Sequence, residues 1–221
     1  MRAFEFIIEN TIDEMAGSIA NGITLDLVDK GYKYVNSGVD KHVFLEPGTG
    51  YAFIVFGYRP GHNEGFSPDQ KMFADWVRYC EQHSNNPHLP KFSGMESFRY
   101  QGQTYIQCRM ERLQEYPTNM GRILHFIEDY AHAETAGVEH LSYEDVITDM
   151  IDDSDIPDTF EQVIQKLGGP ESAAGLIETV QNVIVFGKQH GFSIDLHSGN
   201  YMQRPDGTIV VNDPYVYWLR S

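Results

Sequence analysis

The chain has 221 residues, 41% hydrophobic and 13% aromatic, with a formal net charge of −16. That length and apolar content suffice for one or two domains with full cores, and the charge argues against a nucleic-acid surface while favouring basic partners. No apolar run nears the roughly 20 residues of a membrane span, Met1-Arg2-Ala3-Phe4-Glu5 lacks a signal-peptide pattern, and Cys80 and Cys108 fit neither a disulfide framework nor a zinc site, so a cytoplasmic protein is expected.

Residues 1–30 carry helical spacing (Ile7, Ile8, Ile12, Met15, Ile19, then Leu25 and Val28), with Gly31 as the stop. Tyr32 to Val35, Lys41 to Leu45 and Tyr51 to Phe56 alternate as antiparallel strands, and Pro47-Gly48-Thr49-Gly50 is a turn. Ser67 as N-cap and Pro68 at the first position open a helix through about Gln82, which Asn85-Asn86-Pro87 ends. Phe73, Trp76 and Tyr79 are its expected core residues. Ser97 to Tyr100 and Thr104 to Met110 form a hairpin around Gln101-Gly102-Gln103. Past Tyr116-Pro117 the texture turns helical: Met120 to Ala133, Tyr143 to Ile151, Phe160 to Leu167 and Ala173 to His190, the last two separated by Gly168-Gly169-Pro170. Much of the acid lies between Glu139 and Asp158, read as a solvated helix end and loop. Tyr201 to Arg204 and Thr208 to Val211 are two short strands joined at Pro205-Asp206-Gly207, the Asp-Gly pair marking a hairpin.

Around that hairpin lies the pattern with most chemistry in it. Asp195-Leu196-His197-Ser198-Gly199-Asn200 precedes it and Asp213-Pro214 follows it. One carboxylate can orient a hydroxyl. An Asn and a second carboxylate, returned side by side by the hairpin, can hold Mg2+ on nucleotide phosphates. Singly, these residues read as a surface cap, a turn Asn and a strand-end Asp.

Together they resemble the catalytic and metal loops of the protein-kinase-like superfamily. The run Gly191-Phe192-Ser193-Ile194-Asp195-Leu196-His197-Ser198-Gly199-Asn200 is similar to the catalytic loop of the early serine/threonine kinases of T7-type bacteriophages. The D-x-H-x-x-N form is shared with atypical kinases and small-molecule phosphotransferases. The resemblance implies Asp195 as catalytic Asp, Asn200 and Asp213 as metal ligands, and ATP with Mg2+ as cofactors. His197 stands where typical protein kinases have a catalytic-loop Lys, to contact the γ-phosphate or Asp195 or to pack beneath the loop. Ser193 and Ile194 replace the usual His-Arg, so control by an activation-loop phosphate is not expected.

The same resemblance makes Thr104 to Leu113 the last small-lobe strand and hinge. Met110 is then the gatekeeper, and the backbones of Glu111 and Leu113 face the adenine edge. Val35 to Lys41 falls at the glycine-rich loop, where only Gly38 remains of three glycines. Val55 takes the place of the third-strand Lys, and there is no Lys from His42 to Gln70. Lys41, at the third-glycine position and on the strand beside Val55, is the candidate replacement, with Arg59 second. Asp75 and Asp69 are the candidate carboxylate partners.

The implied fold is α+β, bilobal and kinase-like. Residues 1–113 form an N-terminal helix and a small antiparallel nucleotide lobe; residues 114–221 form a helical lobe with the catalytic loops, truncated after the metal Asp. Substrate selection is then left to about Tyr116 to Pro170, an activating partner or a homodimer. The implied function is ATP- and Mg2+-dependent phosphorylation of Ser/Thr on host proteins by a phage-encoded kinase in the host cytoplasm, with no nucleic-acid or membrane partner. The alternatives are a pseudokinase whose acidic surface binds and inhibits a host protein, and a small-molecule phosphotransferase.

Overall fold

The structure, a computed structural model, describes residues 26–37, 41–57, 66–100, 102–117, 120–135, 142–153 and 158–216. It is a mixed α+β protein that divides into two compact units, Met1–Gln82 with Lys91–Arg112 and His83–Pro90 with Leu113–Ser221. Of the N-terminal helical expectation only residues 26–29 are described, and they are helical. Gly31 ends them at φ +87, a left-handed conformation that glycine adopts without strain.

The first unit is built on a five-stranded antiparallel sheet, order β1-β2-β3-β5-β4. The strands are β1 (Lys33–Ser37), β2 (Lys41–Leu45), β3 (Tyr51–Phe56), β4 (Phe92–Tyr100) and β5 (Gln103–Glu111). Side chains alternate between its faces. One face gathers Phe44, Val55 and Tyr105, with Tyr34, Phe53, Phe98 and Leu27 packed around them. The other carries Ala52, Ile54 and Phe56 beside Met110, Cys108 and Ile106. Helix α1 (Pro68–Gln82) covers this second face: the Phe73 ring stacks on Phe56 at 4.8 Å and meets Phe92 edge-on at 6.3 Å. Each such apolar side chain, fully buried, stabilises by about 1.5–3 kcal/mol.

Helix α1 begins where the sequence places it. Gln70 N–H donates to Ser67 Oγ at 3.2 Å, and Ser67 N–H donates to Gln70 Oε1 at 2.9 Å, a reciprocal cap. The same buried Gln70 donates through Nε2 to the Gly57 and Thr104 carbonyls, at 3.0 and 2.7 Å, tying the helix start to β3 and β5. Phe73 and Trp76 are buried and Tyr79 is half-buried, its ring stacked on Trp76. Strand β4 starts at Phe92, five residues before the expected Ser97. Gly94, at φ +64, sits in an irregularity between Ser93 and Glu96 that hides the alternation there.

In the second unit α2 (Gly121–Thr135), α3 (Tyr143–Asp153), α4 (Phe160–Lys166) and α5 (Pro170–His190) enclose a core that includes Leu124, Ile127, Ile147, Met150, Leu176, Val180 and Val183. Thr159 and Gln162 form a capping box at α4. Helix α5 opens at Pro170, not Ala173. Proline lacks only an N–H that the first helical turn leaves unused, so it starts the helix rather than preceding it. The acid of α3 is solvated, at its ends as expected: Glu144 and Asp145 in the first turn and Asp152 in the last are exposed, as is Asp149 between them, while Val146, Ile147 and Met150 are buried; residues 154–157 lie outside the described residues.

Residues 83–90 belong to this unit through side chains. The buried Arg204 guanidinium donates to the Pro87 and Leu89 carbonyls, the latter at 2.9 Å. Val211 N–H donates to the His88 carbonyl at 2.9 Å. His88 Nδ1 lies 2.8 Å from the Ile209 carbonyl, and Asn86 Nδ2 donates to Thr179 Oγ1 at 2.9 Å. Among the described residues no helix is long and apolar enough to cross a membrane. Cys80 and Cys108 are both free and buried.

Candidate active site

Two small ladders frame the DLHSGN segment within the second unit. β6 (Ser193–Ile194) pairs with β9 (Tyr215–Val216), Ile194 opposite Tyr215. β7 (Tyr201–Gln203) pairs with β8 (Ile209–Val211) across the Asp206-Gly207 turn, with Gly207 at φ +91. Between the ladders two backbone bonds close the frame. Asp195 N–H donates to the Pro214 carbonyl at 2.8 Å, and Asn212 N–H donates to the Asn200 carbonyl at 2.8 Å. Asp213 sits in the chain between these two rungs, so its backbone is held against both Asp195 and Asn200.

The frame is seated on α5. Tyr215 Oη donates to the Val183 carbonyl at 2.6 Å. Gly187 gives the room: a Cβ there would lie 2.5 Å from Ile194 Cδ1 and 2.7 Å from Tyr215 Cε1. Tyr215 is thereby packed onto the helical unit; residues 217–221 lie outside the described residues.

Side chains then fix Asp195, whose own side chain is 42% exposed. Asn200 Nδ2 donates to the Asp195 main-chain carbonyl and, at 3.3 Å, to Asp195 Oδ2. His197 Nε2 lies 3.9 Å from the same Oδ2. Gly199 N–H donates to His197 Nδ1 at 3.0 Å, so Nδ1 carries no proton and Nε2 does. The Nε2 edge of the ring is thereby turned toward Asp195. Gly199 is required for that contact, since a Cβ there would lie 2.8 Å from His197 Cε1. Both neighbours address Oδ2, leaving Oδ1 as the oxygen that can meet an incoming hydroxyl.

For a metal, the donor set is Asn200 and Asp213. The Asn200 amide nitrogen is committed to Asp195, so its oxygen is the end left for a cation, and a carboxylate with an amide oxygen is the hard donor chemistry that suits Mg2+. Among the described residues there is no group of three or more His, Cys, Asp or Glu side chains that could hold a metal by itself. Such a cation would need oxygens from elsewhere, as nucleotide phosphates provide.

Sequence reasoning missed Glu128, a half-buried carboxylate of α2. Burial pushes its pKa up, offset in part by His125 and His197. A polar residue at an ordinary helical position gives no sequence signal that it meets a loop so far along the chain.

The remaining candidates lie mostly in the first unit. Lys41 opens β2 opposite Phe56, and His42, not Lys41, is opposite Val55. Lys41 and Val55 therefore project from opposite faces, and Val55 is buried in the aromatic cluster. Lys41 is thus on the strand beside Val55, as expected, but on the opposite face. The third-strand residues on the Lys41 face are Ala52, Ile54 and Phe56. On that face burial raises the Cys108 thiol to about 12, with Lys41 acting in the opposite direction. Met110 shares the face, buried, about 16 Å away, from four residues of strand rise (about 13 Å) and two strand spacings (about 9.6 Å). Asp75 is paired with Lys71 at 2.5 Å and Arg78 at 2.9 Å, while Asp69 is buried at the start of α1.

Glu111 N–H donates to the Lys91 carbonyl at 2.9 Å, and its Oε1 accepts from the Lys91 N–H at 2.9 Å. Leu113 is buried in the second unit, next to the bridge in which Gln114 and Gln203 exchange backbone bonds of 2.9 and 2.8 Å. Gly38 and Arg59 lie outside the described residues. No family model matches the chain, and no curated protein matches it.

Proposed function

We propose that the chain is an ATP- and Mg2+-dependent phosphotransferase of bilobal, protein-kinase-like architecture, acting on Ser/Thr hydroxyls of proteins, phage-encoded and directed at host proteins in the host cytoplasm. The observation that carries this reading is the fixed carboxylate. Asp195 Oδ2 is held by Asn200, with the His197 N–H facing it, while the backbone of Asp213 is pinned between Asp195 and Asn200. Phosphoryl transfer asks a protein chiefly for positioning and charge neutralisation, and this frame supplies positioning without covalent chemistry.

Asp195 Oδ1 would orient the acceptor hydroxyl and take its proton as the oxygen attacks the γ-phosphorus and the bond to ADP breaks. The His197 Nε2 edge would hold Oδ2 or a phosphate oxygen. Asn200 and Asp213 are the residues that would hold Mg2+, which supplies charge neutralisation on the phosphates when bound. Lys41 is the candidate for a further cation, and the Glu111 carbonyl and Leu113 backbone for the adenine edge.

The test is incubation of the purified chain with γ-labelled ATP, Mg2+ and host lysate. The expected result is label on Ser or Thr of protein. Asp195→Asn and Asp213→Asn should each lower transfer at least about a hundredfold with the fold retained. Wild-type transfer by either variant removes the assignment. One observation favours a second reading, an acidic pseudokinase that binds a host protein: the Lys41 face of β3 offers only Ala52, Ile54 and Phe56. Absence of transfer, with a host protein retained, would support it.

A further inference from the structure

Helix α2 brings to the Asp195 loop a carboxylate that the proposed reaction does not use. Glu128 has a side chain only 16% exposed, and His125 Nδ1 stands 3.5 Å from its Oε2, a long ion-pair contact. Its other polar neighbours are His197 and Asp129. His125 also reaches Asp129, at 3.6 Å. The partners of this carboxylate are thus two imidazoles, which carry no fixed charge of the kind Lys or Arg supplies. Burial accordingly pushes its pKa up.

A second observation comes from beneath it. Tyr201 is 2% exposed, and its hydroxyl is buried without a hydrogen-bond partner. Glu128 is the foremost charge acting on that hydroxyl, ahead of Tyr116. Buried hydroxyls are ordinarily paired. A half-buried carboxylate paired only with imidazole and an unpaired buried hydroxyl therefore stand within electrostatic reach of one another. The outer side is accessible: His125 and Asp129 are each 69% exposed and His197 60%.

We propose that Glu128 is the specificity residue of the acceptor subsite, receiving a Lys or Arg side chain of the protein substrate near the hydroxyl presented to Asp195, with the Tyr201 hydroxyl behind it. The proposal rests on the phosphotransferase reading. A guanidinium or ammonium supplies that fixed positive charge, and a half-buried carboxylate attracts it more strongly than one in bulk water. Asp129 and Asp195 add to the same field. The net charge of −16 steers basic chains toward the protein before contact.

The experiment uses the full chain and two Ser peptides of equal length, one with Arg on both sides of the Ser and one with Gln there. Transfer from γ-labelled ATP and direct binding of the fluorescent peptides without nucleotide are both measured. We expect kcat/KM at least about tenfold higher for the Arg peptide, expressed in KM. Glu128→Gln should abolish the preference while leaving turnover of the Gln peptide near wild type. Glu128→Lys should transfer the preference to a Glu-flanked peptide. Equal kcat/KM for the two peptides in the wild type, or a preference retained in Glu128→Gln, overturns the proposal. If neither peptide is phosphorylated, the phosphotransferase reading fails and binding decides this one. Tighter Arg-peptide binding that is lost in Glu128→Gln upholds the basic subsite, and equal binding overturns it.

Discussion

Gly187→Ala tests whether the seat of the catalytic loops, rather than the fold in general, sets activity. The added Cβ would lie 2.5 Å from Ile194 Cδ1 and 2.7 Å from Tyr215 Cε1. Carbon atoms rest at about 3.5–4.0 Å, so both neighbours must retreat by roughly 1 Å. Overpacking of this kind costs about 1–3 kcal/mol. Alanine gains about 1 kcal/mol over glycine inside a helix. The net loss is therefore about 0–2 kcal/mol, a melting shift of a few degrees for a chain of this size. Activity has no such offset. Ile194 precedes Asp195, and Tyr215 follows Pro214, whose carbonyl holds the Asp195 N–H. A displacement of about 1 Å can cost about a hundredfold in rate. We expect kcat to fall about 10- to 100-fold in a labelled-ATP assay, with the melting curve little changed. Gly175→Ala is the control: its Cβ lies 3.2 Å from His88 Nε2, which asks for only a few tenths of an ångström, and activity should persist. Wild-type turnover in Gly187→Ala would refute the reasoning.

Lys41→Met should impair ATP turnover far more than Lys33→Met or Lys71→Met. Restoration should come from Ile54→Lys, on the Lys41 face, and not from Val55→Lys; rescue by Val55→Lys alone would reverse the face assignment. Acid should destabilise the protein through His88 and His42, whose pKa values burial lowers. Each folded pKa lies below its unfolded value, so the unfolded chain binds more protons as pH falls through about 6.5. Stability is then lost at up to about 1.4 kcal/mol per pH unit for each group. His88→Gln should flatten that loss in urea titrations between about pH 6.5 and 5, and an unchanged slope counts against it.

Local chemistry made much of this legible. Ser67-Pro68, the Asp206-Gly207 turn and the alternation of β2 and β3 specify their elements within a few residues, and the spacing of Asp195, Asn200 and Asp213 found a group that two backbone bonds do draw together. What escaped depends on pairing. Strand register has a period of two, so matching Val55 instead of Ile54 to the lysine position reverses the face. That choice is made by contacts with β2 and β5, which single-strand patterns do not contain. The first half of β4 escaped because Gly94 breaks its alternation. Glu128 escaped because its meaning comes from Tyr201 and His197, which the fold alone brings near.

The attachment of residues 83–90 to the β7–β8 hairpin bears on how the protein can be cut and assembled. The second unit is discontinuous: β4 and β5 leave it after Pro90 and the chain re-enters at Leu113. A fragment starting at Leu113 would bury Arg204 without the Pro87 and Leu89 carbonyls, leaving a charge with its acceptors removed. During synthesis, then, residues 83–90 must wait for a strand made more than a hundred residues later, and the loop closed when they meet takes in the β4–β5 hairpin and α2 to α5 together. A dissection that keeps the catalytic segment folded should begin no later than His83 and carry that hairpin with it.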